Sequence, residues 1–124
     1  MSWIKPETSH ARGKATEVFA EQYLIHQGLT PIDRNIHCRQ GEIDLVMQDG
    51  DIYVFVEVKY RKSNHFGGAI EAVSLAKQNK IRHCVAFFFH KAKLNEYNTP
   101  CRFDVIALEG NINQPQVTWL KNAF

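Results

Sequence analysis

The sequence predicts an α/β fold with a central mixed β-sheet flanked by α-helices. Two runs of residues, 42–47 and 52–59, have the apolar and β-branched character of strands, and an Asp-Gly pair between them indicates a hairpin. Apolar residues at helical spacing precede these runs, and a second helical pattern follows them. With 124 residues, 44% of them hydrophobic, the chain can bury a core, and we expect one domain over residues 1–124.

A first helix is predicted between a cap at Thr8 or Ser9 and about His26, with Gly28 as its stop signal. Apolar residues within the segment 15–24 recur at helical spacing, which is typical of a face packed on the core. We therefore interpret this stripe as core and not as a binding surface.

Four further elements are predicted around the hairpin. Residues 32–38 favour a short edge strand, and the polar turn after it ends at Gly41, a glycine expected to serve unusual backbone angles. A loop over residues 61–68 should precede a helix over about residues 70–90, because charged and small residues crowd the first of these segments. The last two strands are expected at residues 102–108 and 117–120.

The cysteine and histidine pattern indicates neither a disulfide framework nor a zinc site. Cys38, Cys84 and Cys101 are odd in number, widely spaced and without a C-x-x-C pair, so we expect thiols. The six histidines show no spacing that would place two imidazoles on one metal ion. No secretory leader or membrane-spanning run is recognisable, so the expected location is cytoplasmic, with no membrane partner.

Three charged residues lie inside otherwise apolar strands: Asp44, Glu57 and Lys59. Burial of such groups is costly unless they are paired or functional. Side chains alternate along a strand, so Glu57 and Lys59 are predicted to share a face. If Asp49-Gly50 is a two-residue turn, residue 44 pairs with residue 55. Asp44 is then a diagonal neighbour of Glu57, with β carbons roughly 7–8 Å apart, whereas a three-residue loop would separate the two carboxylates.

This trio favours a metal-dependent hydrolytic site. Two carboxylates can hold one or two magnesium ions, which polarise a phosphate and lower the pKa of a bound water. Lys59 could orient or deprotonate that water and offset charge in the transition state. A buried ion pair, in which Lys59 only neutralises Asp44 or Glu57, is the structural alternative.

Basic residues follow the trio and favour a phosphate-facing surface. Arg61, Lys62 and His65 come directly after the second strand of the hairpin, and Lys77 lies in the next helical region. A solvated charged face explains the same pattern, and a net charge of +2 does not decide between the two interpretations. We rank these four residues as candidates for nucleic-acid binding.

Ile43-Asp44 and Glu57-Val58-Lys59 resemble the motif of the PD-(D/E)xK nuclease superfamily, although its literal proline is absent. The short spacing, with a glutamate on the helix ahead of it, is similar to that of archaeal Holliday junction resolvases. Nearly the whole chain also resembles the bacterial YraN or UPF0102 family of endonuclease-like proteins. The shared positions include Gly13, Glu17, Ala20, Asn35, residues 41–46, residues 55–59, Arg61, residues 66–67, Lys77, residues 102–105 and residues 122–124.

This resemblance implies a restriction-endonuclease-like fold and an Mg²⁺-dependent endonuclease, with Mn²⁺ able to substitute. The catalytic residues that it implies are Glu17, Asp44, Glu57 and Lys59. The metal ligands that it implies are Asp44, Glu57 and Val58. It implies hydrolysis of nucleic-acid phosphodiester bonds, with branched or structured DNA favoured over RNA, and it is compatible with a homodimer. No residue of the sequence itself distinguishes DNA from RNA.

Two other functions fit the same sequence. A nuclease fold can persist as a non-catalytic nucleic-acid-binding or adaptor module whose charged trio survives as an ion-pair network. A small-molecule or RNA-processing enzyme would use the same phosphodiester chemistry. The endonuclease is favoured because Asp44, Glu57 and Lys59 are all chemically competent and none of them is replaced.

Overall fold

The computed structural model describes residues 9–39, 41–62 and 74–124. Its elements in chain order are α1 (Ser9–His26), β1 (Thr30–Cys38), β2 (Gly41–Asp49), β3 (Ile52–Arg61), α2 (Leu75–Lys91), β4 (Cys101–Glu109) and β5 (Gln116–Leu120). The described strands form a sheet in the order β1-β2-β3-β4-β5, in which β3 and β4 are parallel and the other neighbours antiparallel. The predicted α/β class, with a central mixed sheet flanked by helices, is confirmed. None of the described helices is both long and apolar enough to cross a membrane.

The two helices cover opposite faces of the sheet. On the α1 face, the buried core consists of Ala20, Leu24, Leu29, Leu45, Met47, Val54, Val56, Ile106 and Leu108. On the α2 face, it consists of Ile43, Val46, Phe55, Ile81, Cys84, Val85, Phe88 and Phe89. The side chains of β3 therefore alternate between the two faces as predicted. By this alternation, Glu57 and Lys59 belong to the face that α2 covers.

The β2–β3 hairpin has a different register from the predicted one. Its two-residue turn is Gly50-Asp51, one residue later than predicted. Gly50 adopts φ +61° at the first turn position, where a type II′ turn favours glycine. Phe55 therefore lies opposite Val46, and the predicted pairing of residue 55 with Asp44 is wrong. The turn still contains two residues, so the pairing of β2 with β3 still relates Asp44 and Glu57 as residues of the same face.

The alternation of β2 is interrupted next to Asp44, which strict strand geometry does not predict. Ile43 packs on the α2 face and Leu45 packs on the α1 face. In a regular strand, residues that are two positions apart lie on the same face. On the neighbouring strand, Asn35 lies opposite this point and adopts φ +52°. Asparagine tolerates this left-handed conformation better than most residues. The β2–β3 pairing ends at Leu45, so Asp44 lies just beyond that ladder.

Asn35→Ala is expected to lower the free energy of unfolding by about 1 kcal/mol, because alanine tolerates positive φ less well than asparagine. Asn35→Gly is the matched control and should lose less stability, since glycine adopts this φ without a steric penalty. Urea unfolding of the three proteins measures both differences. A glycine variant no more stable than the alanine variant would contradict a role for backbone strain at this position.

Cys38 and Cys84 form a disulfide, and the prediction of thiols is wrong for this pair. Cys38 ends β1 and Cys84 lies within α2, with Cα atoms 5.4 Å apart, a separation that a disulfide normally spans. The two residues are 46 positions apart in sequence, so only the packing of α2 against the sheet brings them together. Cys101 is a free thiol, as predicted, and it is exposed.

Candidate active site

A cavity of about 350 Å³ opens between β2, β3 and the first turns of α2. Its described lining residues are Gly41, Glu42, Asp44, Glu57, Ser74, Ala76, Lys77, Lys80 and Ile81. Asp44 and Glu57, the two carboxylates singled out from the sequence, therefore lie in the same cavity. They reach it from neighbouring strands, on the face of the sheet that α2 covers.

The main chain of β3 holds the Asp44 carboxylate. Asp44 Oδ2 accepts a hydrogen bond of 2.7 Å from the Val58 N–H. Burial raises the pKa of Asp44 to about 8; the Val58 hydrogen bond opposes this shift, and the carboxylates of Glu57, Glu17 and Glu42 add to it. A cation in the cavity would favour the ionised form of Asp44, because an opposite charge stabilises a carboxylate.

Glu57 forms an ion pair with Lys77 of α2, whose Nζ donates to Oε1 of the carboxylate. The Glu57 side chain is 16% exposed, whereas the Lys77 side chain is 46% exposed. The carboxylate is therefore enclosed by the sheet, and its lysine partner approaches from the solvent side. Lys77 was predicted only as a nucleic-acid contact, and the structure adds its link to Glu57.

Val58 and Lys59 follow Glu57 along β3. Lys59 is partly buried, pairs with Ala107 of β4 and shares the face of Glu57 by strand alternation. The Val58 side chain packs on the α1 core, so the residue can offer a metal ion only its main-chain carbonyl. The N–H and C=O of a strand residue point to the same side, which places this carbonyl on the side of Asp44.

Glu17 lies on α1, on the other face of the sheet from α2. Its charge contributes to the raised pKa of Asp44, although less than the charge of Glu57 does. The described lining of the cavity comes instead from the start of β2, from β3 and from α2. Glu17 is therefore not among the described lining residues, and its catalytic role stays a prediction.

The predicted phosphate-contacting residues lie in different places. Lys77 lines the cavity, whereas the exposed Lys62 lines another one, with Tyr60 and residues 110–113. Arg61 is exposed at the end of β3. His65 lies outside the described residues, and its role stays a prediction.

Lys80 and Glu42 also line the cavity, although neither was among the predicted site residues. Lys77 and Lys80 are three positions apart, a spacing that places both on one side of a helix. This spacing can be read from the sequence. The start of α2 is fixed by Ser74, which has an extended backbone and whose Oγ accepts a hydrogen bond of 3.1 Å from the Lys77 N–H. α2 therefore begins at Leu75, whereas the predicted start near residue 70 lies outside the described residues, and both lysines lie in the first two turns of α2.

Gly41 serves a close approach between elements rather than an unusual backbone angle. Among the described glycines, positive φ occurs at positions 28, 50 and 110 and not at Gly41. A β carbon at Gly41 would lie 3.4 Å from the β carbon of Lys80 and 3.9 Å from the sulfur of Cys84. The absence of a side chain therefore lets α2 pack closely against the start of β2, and the predicted role of this glycine is wrong.

The oxygen donors of the cavity fit a hard divalent cation. Magnesium is commonly bound through one or two carboxylates and retains several waters. Asp44 and Glu57 supply two carboxylates, and Val58 supplies a carbonyl on the same side. No three His, Cys, Asp or Glu side chains converge as a ready metal cluster within 13–39, 41–62 and 74–124. A metal site here would therefore be an open one, completed by water or substrate.

A second charged cluster, centred on β4, is structural. Arg102 Nε donates to both Asp104 oxygens at 3.1 and 3.2 Å, and its Nη1 donates to Asp49 at 3.0 Å. The buried Asp104 also accepts from the Trp119 indole and from the Asn122 N–H, both at 2.9 Å. These bonds tie β4 to the hairpin, to β5 and to the segment after β5.

The family model and the sequence relatives agree on one family. The sequence model described as "Uncharacterised protein family UPF0102" matches residues 16–108. A UPF0102 protein of Colwellia psychrerythraea is 67% identical over 120 residues, which are 97% of this chain and 93% of that protein. A UPF0102 protein of Photobacterium profundum is 45% identical over 119 residues, which are 96% of this chain and 94% of that protein.

Among solved structures, the chain is similar to a repair endonuclease from Pyrococcus abyssi, with a TM-score of 0.45 and 23% identity. The similar region covers 90% of this chain and 42% of the endonuclease, so this chain spans less than half of that protein. The sequence relatives, in contrast, align with the chain over nearly its whole length.

Proposed function

This chain belongs to the uncharacterised protein family UPF0102, and we propose that it is a metal-dependent endonuclease that hydrolyses nucleic-acid phosphodiester bonds. The observation that carries the proposal is the presence of Asp44 and Glu57 in one cavity together with Lys77 and Lys80. Carboxylates recruit a divalent cation and lysines attract phosphate, and hydrolysis of a phosphodiester uses both.

Each residue has a separate role in the proposed reaction. Asp44 and Glu57 would hold the ion, with the carbonyl of Val58 as a third oxygen ligand, and the Val58 N–H keeps Asp44 in position. Bound Mg²⁺, or Mn²⁺ in its place, polarises the scissile phosphate and lowers the pKa of a water molecule. Lys59 would orient or deprotonate the attacking water and offset charge in the transition state. Glu17 would complete the acidic set from the α1 side.

Nucleic acid is the proposed partner, with DNA favoured over RNA. Lys77 and Lys80 would meet phosphates at the cavity, and the exposed Arg61 and Lys62 would extend the contact beyond the end of β3. The resemblance to Holliday junction resolvases favours branched or structured DNA as the substrate class. A homodimer would present two sites to such a substrate.

The wild-type protein is expected to cleave nucleic acid in Mg²⁺ or Mn²⁺ and to be inactive in EDTA. Single-turnover assays on branched, duplex and single-stranded DNA, with RNA of the same sequences, measure this and rank the substrates. Binding should weaken by about 10- to 100-fold between 50 and 200 mM salt, because two to four phosphate contacts release counterions. Binding without cleavage on any substrate, with either metal, would support the non-catalytic adaptor instead.

A further inference from the structure

The ion pair of Lys77 with Glu57 places a cation on the carboxylate that the metal ion of the proposed function requires. An ammonium group bound to Oε1 occupies one of its lone pairs and repels a divalent cation at the same oxygen. We propose that Lys77 neutralises Glu57 in the metal-free protein, that a divalent metal ion displaces it, and that the displaced ammonium then binds a phosphate of the nucleic acid. This inference rests on the proposed function and adds an order of binding to it.

The two partners differ in their freedom to move. Glu57 is held within β3 and its side chain is 16% exposed, whereas Lys77 is 46% exposed and carries a long, flexible side chain. The backbone of Lys77 is fixed, because its N–H donates to Oγ of Ser74, the N-cap of α2. Displacement therefore requires rotation of the Lys77 side chain and no movement of the helix.

The net charge around the cavity becomes more positive when a divalent metal ion binds. Glu42, Asp44 and Glu57 contribute carboxylates, and Lys77 and Lys80 contribute the ammonium groups of its described lining. Without metal, one lysine is engaged by Glu57. A divalent cation on Asp44 and Glu57 neutralises these two carboxylates, and both lysines are then available to an anion. The metal-bound cavity then offers phosphate a second lysine in addition to Lys80.

A displacement of this kind couples metal binding to nucleic-acid binding. Metal ion and nucleic acid should each raise the affinity of the protein for the other, since equilibrium coupling is reciprocal. Lys77 should therefore oppose metal binding when nucleic acid is absent and support nucleic-acid binding when metal is present. A lysine that only contacts phosphate, or only positions Glu57, would not show both effects.

The first experiment titrates Mn²⁺ into the full chain by calorimetry, with no nucleic acid. Lys77→Met is expected to bind Mn²⁺ about 5- to 30-fold more tightly than the wild type, because the competing ammonium is gone. Lys80→Met is the matched control: it removes the same charge from the same cavity but leaves the Glu57 pair intact, and its affinity should change by less than about threefold. Lys77→Arg retains a cation beside Glu57 and should bind close to the wild-type value.

The second experiment measures how nucleic-acid affinity depends on salt, in EDTA and in Mn²⁺, with Lys59→Met in every protein so that substrate is not consumed. In Mn²⁺, Lys77→Met should reduce the slope of log affinity against log salt by about one, which is the loss of one phosphate contact. In EDTA, the same variant should leave the slope unchanged, because Glu57 already engages Lys77. Lys80→Met should reduce the slope in both conditions.

The outcomes separate this inference from the proposed function. Unchanged or weaker Mn²⁺ binding by Lys77→Met, in a protein that cleaves nucleic acid, would overturn the displacement alone. An equal salt slope for Lys77→Met and wild type in Mn²⁺ would overturn the transfer of the lysine to phosphate. Failure of every protein to bind Mn²⁺ would overturn both the displacement and the metal-dependent endonuclease.

Discussion

Replacing Lys59 with methionine is expected to slow single-turnover cleavage by about 10²–10⁴-fold while metal and nucleic-acid binding change little. Methionine keeps a long apolar side chain on β3 but removes the ammonium group. Lys59 shares the face of Glu57 two positions along the strand, so it is placed to act on the water or on developing charge. The substitution should therefore slow the chemical step and leave the binding of metal ion and nucleic acid nearly unchanged.

The structural alternative made Lys59 the neutralising partner of the buried carboxylates. In the structure, Lys77 pairs with Glu57, and this gives the carboxylate a cation other than Lys59. If Lys59 were nevertheless structural, its loss would leave like charges close together, raise their pKa values and lower folding stability. Melting curves recorded beside the cleavage rates separate the two roles.

Lys91→Met is the control for loss of a positive charge as such, because Lys91 is exposed at the end of α2, away from the cavity. It should keep the wild-type rate and melting temperature. A Lys59→Met protein that cleaves at the wild-type rate and only melts earlier would assign Lys59 to structure. A wild type that is inert on every substrate would point to the adaptor.

Much of the fold could be predicted because its signals are local. The apolar stripe of α1, the stop at Gly28 and the alternation along β3 each depend on neighbouring residues in sequence. The alternation of β3 alone predicted which face carries Glu57 and Lys59. A two-residue turn then places Asp44 on the same face as these two residues, and this relation is unchanged when the turn shifts by one residue.

The features that the sequence did not predict depend on tertiary packing or on the choice between competing turns. Gly50 could occupy either position of a two-residue turn, and the structure places it first. The interruption beside Asp44 requires the positive φ of Asn35 on another strand, which no pattern within β2 indicates. Cys38 meets Cys84, and Lys77 meets Glu57, only after α2 has packed on the sheet.

Asp44→Asn is expected to stabilise the metal-free protein at pH 8 and to abolish both metal binding and cleavage. The pKa of Asp44 is raised from 3.8 to about 8 in the folded state, mainly by burial. Below about pH 4 the residue is protonated in both folded and unfolded states and has no effect. As pH rises from about 4 to 8, the unfolded state releases the proton and the folded state retains it, so stability falls.

Asparagine removes this ionisation, and its side-chain oxygen can still accept the Val58 N–H. In EDTA, the variant should therefore exceed the wild type by about 1–3 kcal/mol at pH 8, with the difference shrinking toward pH 4. The full pKa shift corresponds to more than this, but water and counter-ions in the open cavity offset part of the cost. Urea unfolding at several pH values measures the difference.

Added Mn²⁺ should reverse the order of stabilities, because a ligand that binds only the folded state stabilises it by mass action. The wild type holds the ion through Asp44 and Glu57 and should gain stability with metal concentration, whereas Asp44→Asn should not. Asp51→Asn removes a carboxylate from the exposed hairpin turn and should follow the wild type in both conditions. A wild type whose stability is insensitive to Mn²⁺ and does not fall between pH 4 and 8 relative to Asp44→Asn would show that Asp44 is neither a buried acid nor a metal ligand.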